Sequence, residues 1–197
     1  MKKDIILAGV GGQGILSIAT IIGEAATLSG LFLKQAEVHG MSQRGGDVQS
    51  NLRLSDERIY SDLIRKGTAD LIIAMEPMEA LRYVDCLSND SVVVTSSRPF
   101  VNIPNYPEDI QEQITRFMEA NPGIRFVQAD IEEMAKDNKI PRSANVILLG
   151  MAASYLDILT ADQLRKAVGC VFASKGDAVV EANYKAFDLG MSVILQE

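Results

Sequence analysis

The chain has no tryptophan, one histidine and two cysteines in 197 residues. Cys86 and Cys170 lie far apart without a metal-ligand spacing, so neither a disulfide framework nor a zinc or iron–sulfur motif is present, and a reducing, cytoplasmic setting is expected. Basic charge is scarce too. The 19 Lys and Arg against 26 Asp and Glu give a formal charge of −7, with no basic stripe to neutralise the phosphates of a nucleic acid. Long apolar runs are also missing. Ile5-Ile6-Leu7-Ala8 meets glycines and Gln13 too soon for a signal peptide. Val146 to Ala153 falls well short of the roughly 20 residues that span a bilayer, so no membrane association is expected. With 47% hydrophobic and 23% charged residues and no internal repeat, the composition predicts one globular domain over residues 1–197.

What is there alternates between two periods. Ile5 to Ala8 is a continuous apolar run that suits a strand buried on both faces. After a glycine-rich turn, Ile15, Ile18, Ala19, Ile22, Ala25 and Ala26 recur at helical spacing; Gly30 closes that helix and Leu31-Phe32-Leu33 begins a second strand. Residues 47–54 alternate, with Val48, Ser50, Leu52 and Leu54 on one face, and Ser55-Asp56-Glu57 reads as a turn into Arg58-Ile59-Tyr60-Ser61. An antiparallel hairpin inserted at that point is therefore predicted. Further strands are predicted at 69–75, 91–95 and 125–127, and helices at 78–87 and 108–120. Pro99, Pro104 and Pro107 make the stretch between 96 and 107 irregular. The last third reads as helices over 131–138, 144–156, one opened by Thr160 and Gln163 in capping-box form, and a final one from Asp177 to about Leu195. The whole predicts an α/β, Rossmann-like domain: a mostly parallel sheet with helices on both faces, the inserted hairpin and a helical C-terminus.

Gly9-Val10-Gly11-Gly12-Gln13-Gly14 follows a strand and precedes a helix, the context that gives G-x-G-x-x-G its meaning. Glycines allow a tight turn and close backbone approach, while free N–H groups at the helix start attract an anion such as a pyrophosphate. The same glycines equally suit a helix packed close on its strand. A dinucleotide site also needs an acid about 20 residues further on, for the ribose. Lys34 and Gln35 stand there, with Glu37 only approximately placed. NAD chemistry by this chain alone is therefore not expected.

The densest polar cluster is Glu37-Val38-His39-Gly40-Met41-Ser42-Gln43-Arg44-Gly45-Gly46. Arg44 with Gly45 and Gly46 can combine a guanidinium fork with backbone N–H groups to hold a carboxylate or phosphate, and His39 titrates near neutrality. The plainer readings are a turn at Gly45-Gly46, an Arg44 to Glu37 ion pair, and His39 as a loop or interface residue.

Together the 9–14 and 37–46 blocks, continued by Ala69-Asp70-Leu71-Ile72-Ile73-Ala74-Met75-Glu76-Pro77, resemble the gamma-type domain of 2-oxoacid:ferredoxin oxidoreductases over essentially the whole chain. Within that family the chain looks most like the small, or beta, subunits of the indolepyruvate branch. Val38 replaces the threonine usual before the histidine, and Asp47 stands where a small polar residue is common. The resemblance implies oxidative decarboxylation of a 2-oxoacid, an arylpyruvate in this branch, to an acyl-coenzyme A with reduction of ferredoxin. That chemistry uses thiamine diphosphate and 4Fe-4S clusters. Gly176-Asp177-Ala178 is too near the end of the chain to begin a diphosphate motif, and two cysteines cannot ligate a cubane. The resemblance therefore implies that a large, or alpha, partner subunit carries both cofactors, that this chain binds neither tightly, and that it works in a hetero-oligomer. Coenzyme A is the ligand it would share, held through Gly9, Gly11, Gly12, Gln13 and Gly14 or through Arg44, Gly45 and Gly46, with His39 and Arg44 the candidates nearest to chemistry. The alternative is a non-catalytic nucleotide- or acyl-coenzyme A-binding sensor.

Overall fold

Ile5, Ile6, Leu7 and Ala8 are all fully buried, as an apolar strand covered on both faces must be. They occupy the middle of β1 (Lys2–Val10), and the computed structural model describes residues 1–39, 46–100 and 106–194. Helix α1 (Ile15–Leu28) leads to β2 (Phe32–His39), which is followed by β3 (Asp47–Ser55). Then come β4 (Ala69–Ala74), α2 (Pro77–Arg82), β5 (Leu87–Ser96), α3 (Ile110–Ala120) and β6 (Arg125–Ala129). The chain continues through α4 (Ile131–Asp137), α5 (Ala144–Ala152), α6 (Ala161–Phe172) and α7 (Asp177–Ile194). The six strands form one sheet in the order β2-β3-β1-β4-β5-β6. β1, β4, β5 and β6 run parallel, and β3 is antiparallel to both of its neighbours.

The hairpin is thus present but displaced. β3 pairs with β2, from Phe32 opposite Ser55 to His39 opposite Val48, and residues 58–61 form no strand. β3 is already paired along both edges, by β2 and β1, which leaves residues 58–61 no ladder to join; the Arg53 guanidinium instead donates to the carbonyls of Ser61 at 3.0 Å and Leu63 at 3.2 Å. Tyr60 correspondingly points away from any core and is 83% exposed.

The period of two sorts the strand residues between two cores. Ile5, Leu7, Leu71, Ile73, Val94 and Val127 face the larger core, which α1, α5, α6 and α7 complete. Ile6, Ala8, Ile72, Ala74 and Val93 face a smaller one, closed by Ala80 of α2 and Phe117 of α3. Residues 145–152 of α5 are all buried within this chain. α5 can lie against α7 because glycines meet at the crossing. A Cβ on Gly150 would stand 2.2 Å from the Phe187 carbonyl oxygen, and one on Gly190 would stand 2.0 Å from that of Ile147. The Thr160 and Gln163 capping box at the start of α6 forms as its sequence predicts.

One charge is buried in the sheet. Asp4 on β1 is paired in register with Arg53 on β3, whose Nε and Nη2 donate at 2.8 and 3.0 Å, and Lys2 adds a contact at 2.9 Å. Burial pushes the Asp4 carboxyl up, but the hydrogen bonds and charges of Arg53 and Lys2 outweigh it and hold it below the ordinary carboxylate range. Among the described residues no helix is long and apolar enough to cross a membrane.

Candidate functional site

After β1 the chain moves to one side of the sheet for β2 and β3, and it then returns to fill the other side with β4, β5 and β6. The carboxyl ends of β1 and β4 therefore flank the crevice where open α/β sheets place ligands. The glycine turn sits in this crevice. Gly12 and Gly14 hold φ values of +103° and +84°, open to glycine and costly to other residues, and Gly14 caps α1 in the left-handed conformation.

The turn spends part of its hydrogen-bonding capacity on itself. Gln13 folds inward: its Oε1 accepts from the Val10 N–H at 2.7 Å, and its Nε2 approaches the Met75 carbonyl at 3.4 Å. The Gly11 N–H donates to the Gly46 carbonyl at 2.9 Å, and the Gln13 N–H to Val10 at 3.1 Å. Gly12 and Gly14 are left with no backbone partner for their N–H groups among the described residues, and Gly12 is exposed. The turn is locked by the protein and presents two donors outward.

Gly9, Gly11, Gly12, Gln13, Gly14 and Gly46 are brought together, since the Gly11 to Gly46 bond joins the turn to the end of the 37–46 block. Arg44 and Gly45 lie outside the described residues, and so does the His39 side chain; the backbone of His39 ends β2. Glu37 cannot serve as a ribose acid in the dinucleotide manner, because β3 stands between β2 and β1 and moves it two strand spacings, about 10 Å, from the turn's own strand. Its carboxylate instead accepts from Gln35 at 2.7 Å.

Two polar groups at the same edge escape sequence reasoning. Glu76, fully buried at the end of β4, caps α2 by accepting from the Glu79 N–H at 2.9 Å and accepts the Tyr106 hydroxyl with its other oxygen. Glu79, 2% exposed, holds Arg82 through two bonds of 3.1 Å. Burial, aided by Glu76 and Asp47, pushes Glu79 up against the pull of Arg82, and burial likewise moves the Tyr83 phenol up to about 12. The second group follows β5: the Ser96 hydroxyl donates to Glu132 at 2.8 Å, while Arg98 bridges Asp130 and Glu133 at 3.1 Å each. Glu-Pro before a helix was the one available signal for Glu76. The hydrogen-bonded partners of the second group are 35 and 36 residues apart, with no local pattern to join them.

The cysteines do not fit an iron–sulfur cluster, which needs four thiolates. Cys86 packs against the smaller core and its thiol donates to Asp85, whereas Cys170 is exposed on α6, a helix of the opposite face. Among the described residues no group of three His, Cys, Asp or Glu could hold a metal.

Residues 4–193 match the family described as pyruvate ferredoxin/flavodoxin oxidoreductase. The chain is 35% identical to indolepyruvate oxidoreductase subunit IorB of Pyrococcus horikoshii, over 97% of this chain and 96% of that one. In fold it is similar to the gamma subunit of a keto/oxoacid ferredoxin oxidoreductase from Geobacter sulfurreducens, with a TM-score of 0.72 at 23% identity and 99% of both chains covered. It is also similar to part of a 2-oxoglutarate:ferredoxin oxidoreductase from Magnetococcus marinus, solved with 2-oxoglutarate, coenzyme A and succinyl-CoA bound. There the TM-score is 0.77 at 23% identity, over all of this chain and 31% of the larger one.

Proposed function

The chain belongs to the pyruvate ferredoxin/flavodoxin oxidoreductase family, and from that premise we propose that its 2-oxoacid is an arylpyruvate such as indolepyruvate. It is a small subunit of a ferredoxin-dependent 2-oxoacid oxidoreductase and acts within a hetero-oligomer. The full-length likeness to an indolepyruvate oxidoreductase subunit carries the choice of substrate. The sensor alternative finds no support in these likenesses.

The large partner supplies thiamine diphosphate for attack on the keto carbon and iron–sulfur clusters for removing electrons, since this chain's residues fit neither group. What this chain contributes is the completion of a coenzyme A channel in a reducing cytoplasm. The N–H groups of Gly12 and Gly14, at the positive end of α1, receive a phosphate, and the Gly11 to Gly46 bond brings Gly46 to the same edge. In this reading Arg44, with Gly45 and Gly46, clamps the anion, and His39 is the candidate for moving a proton. Support comes from the bond that joins Gly11 of the turn to Gly46 and from the coenzyme A bound in the Magnetococcus enzyme. The test is the KM for coenzyme A in the assembled complex. Arg44→Ala should raise it about ten-fold, the worth of one charge-assisted contact; an unchanged KM sinks the clamp.

A further inference from the structure

A cleft of about 830 Å³ opens beside the glycine turn, between the start of α1, the segment 139–145, the end of α6 and the first turns of α7. Acidic residues outnumber basic ones in this chain, yet the cleft is lined by Lys139, Arg142 and Lys175 and, among the described residues, by no acid. None of the three forms an ion pair with a described residue; Lys175 only lies over the Phe172 ring, at 5.1 Å. Lys139 is held at φ +62°, a conformation that costs a non-glycine residue energy. Ser143 is a second, independent sign. It is 4% exposed, it precedes α5 without capping it, and its hydroxyl has no hydrogen-bond partner among the described residues. That hydroxyl, on the cleft wall and without a partner, is a donor available to an acceptor bound there. Ile140, Phe172 and Val179 give the same cleft an apolar side.

We propose that this cleft binds a phosphorylated nucleotide, its phosphates between Arg142, Lys175 and Lys139 at the starts of α1 and α5 and its base on the apolar side. Three unpaired cations with two helix N-termini suit more than one negative charge. The flat apolar wall excludes a bare phosphate as the best ligand. The nucleotide is either free or the nucleotide end of coenzyme A. The cleft shares Gly12, Gln13 and Gly14 with the proposed coenzyme A site, but its cations, Lys139, Arg142 and Lys175, are ones that reading does not use.

The experiment is calorimetric titration of the full chain at low salt with ADP, coenzyme A and inorganic phosphate. It compares the wild type with Arg142→Gln, Lys175→Gln and, as a control off the cleft, Lys166→Gln. ADP should bind, and Arg142→Gln and Lys175→Gln should each weaken it about ten-fold while Lys166→Gln leaves it unchanged. Binding of coenzyme A but not ADP, with the same dependence on Arg142 and Lys175, assigns the cleft to the nucleotide end of coenzyme A and equally supports the site. Inorganic phosphate binding as tightly as either nucleotide overturns it, as does no binding at millimolar concentration or binding indifferent to both substitutions. If coenzyme A affinity falls with Arg44→Ala while neither ADP nor coenzyme A binding depends on Arg142 or Lys175, the proposed function stands and this site alone is removed.

Discussion

The Asn145 side-chain amide donates to the Gly14 carbonyl at 3.1 Å, and a Cβ on Gly14 would stand 2.9 Å from that same nitrogen. One contact thus ties the glycine turn to α5, 131 residues later, and leaves no room for a side chain at the turn's last glycine.

Gly14→Ala should therefore destabilise the chain by about 2 kcal/mol, most of it from the left-handed backbone. Asn145→Ala should cost about 1 kcal/mol for the lost hydrogen bond. Urea unfolding of the double variant should show less than the sum, because removing Asn145 also removes the clash.

At the α5 to α7 crossing, helix propensity and packing predict opposite signs. Propensity alone makes Gly→Ala worth about 1 kcal/mol of stabilisation. With carbonyl oxygens 2.2 and 2.0 Å from the new methyl groups, overpacking should win, so Gly150→Ala and Gly190→Ala should each lose about 3 kcal/mol. A higher melting temperature in either variant would show that the helices are not packed this closely.

Asp4 and Glu132 should leave opposite marks on the pH dependence of stability. The Asp4 carboxyl is depressed in the folded chain, so its contribution is present above the unfolded value near 3.9 and fades as pH falls through the folded one. Asp4→Asn should cost about 2 kcal/mol near neutrality, a charged hydrogen-bond pair's worth, and progressively less in acid.

Glu132 is raised, by burial first, with the Ser96 hydroxyl opposing it. The folded chain then holds a proton that the unfolded chain has lost, and stability falls as pH rises through that window. Glu132→Gln should therefore gain on the wild type as pH rises above the ordinary glutamate value of about 4.3 in paired urea titrations. A constant difference would refute the assignment.

How far these features could be read in advance depended on whether their cause was local. β1, the turn and α1 were legible because apolar period and glycine spacing lie within one short stretch, and the Thr160 capping box is complete in four residues. The hairpin was legible in kind but not in place. The competing cause is the pairing of β3 with β1 on one edge and β2 on the other, which no alternation pattern records. Sequence spacing alone offers Glu37 as an approximate ribose acid; the insertion of β3 between β2 and β1, which moves it further from the turn, is a tertiary fact. The inward fold of Gln13 and the gathering of Lys139, Arg142 and Lys175 likewise exist only once distant segments pack.

The account rests most heavily on the chain being one half of a two-part enzyme. The direct measurement is indolepyruvate-dependent viologen reduction with the purified chain, the purified large subunit, and the two together, each with and without coenzyme A. The account predicts a colourless chain with no activity alone, and activity that requires both subunits and coenzyme A. A large subunit fully active without this chain, or visible absorbance from a tightly bound flavin or cluster in the isolated chain, would contradict it.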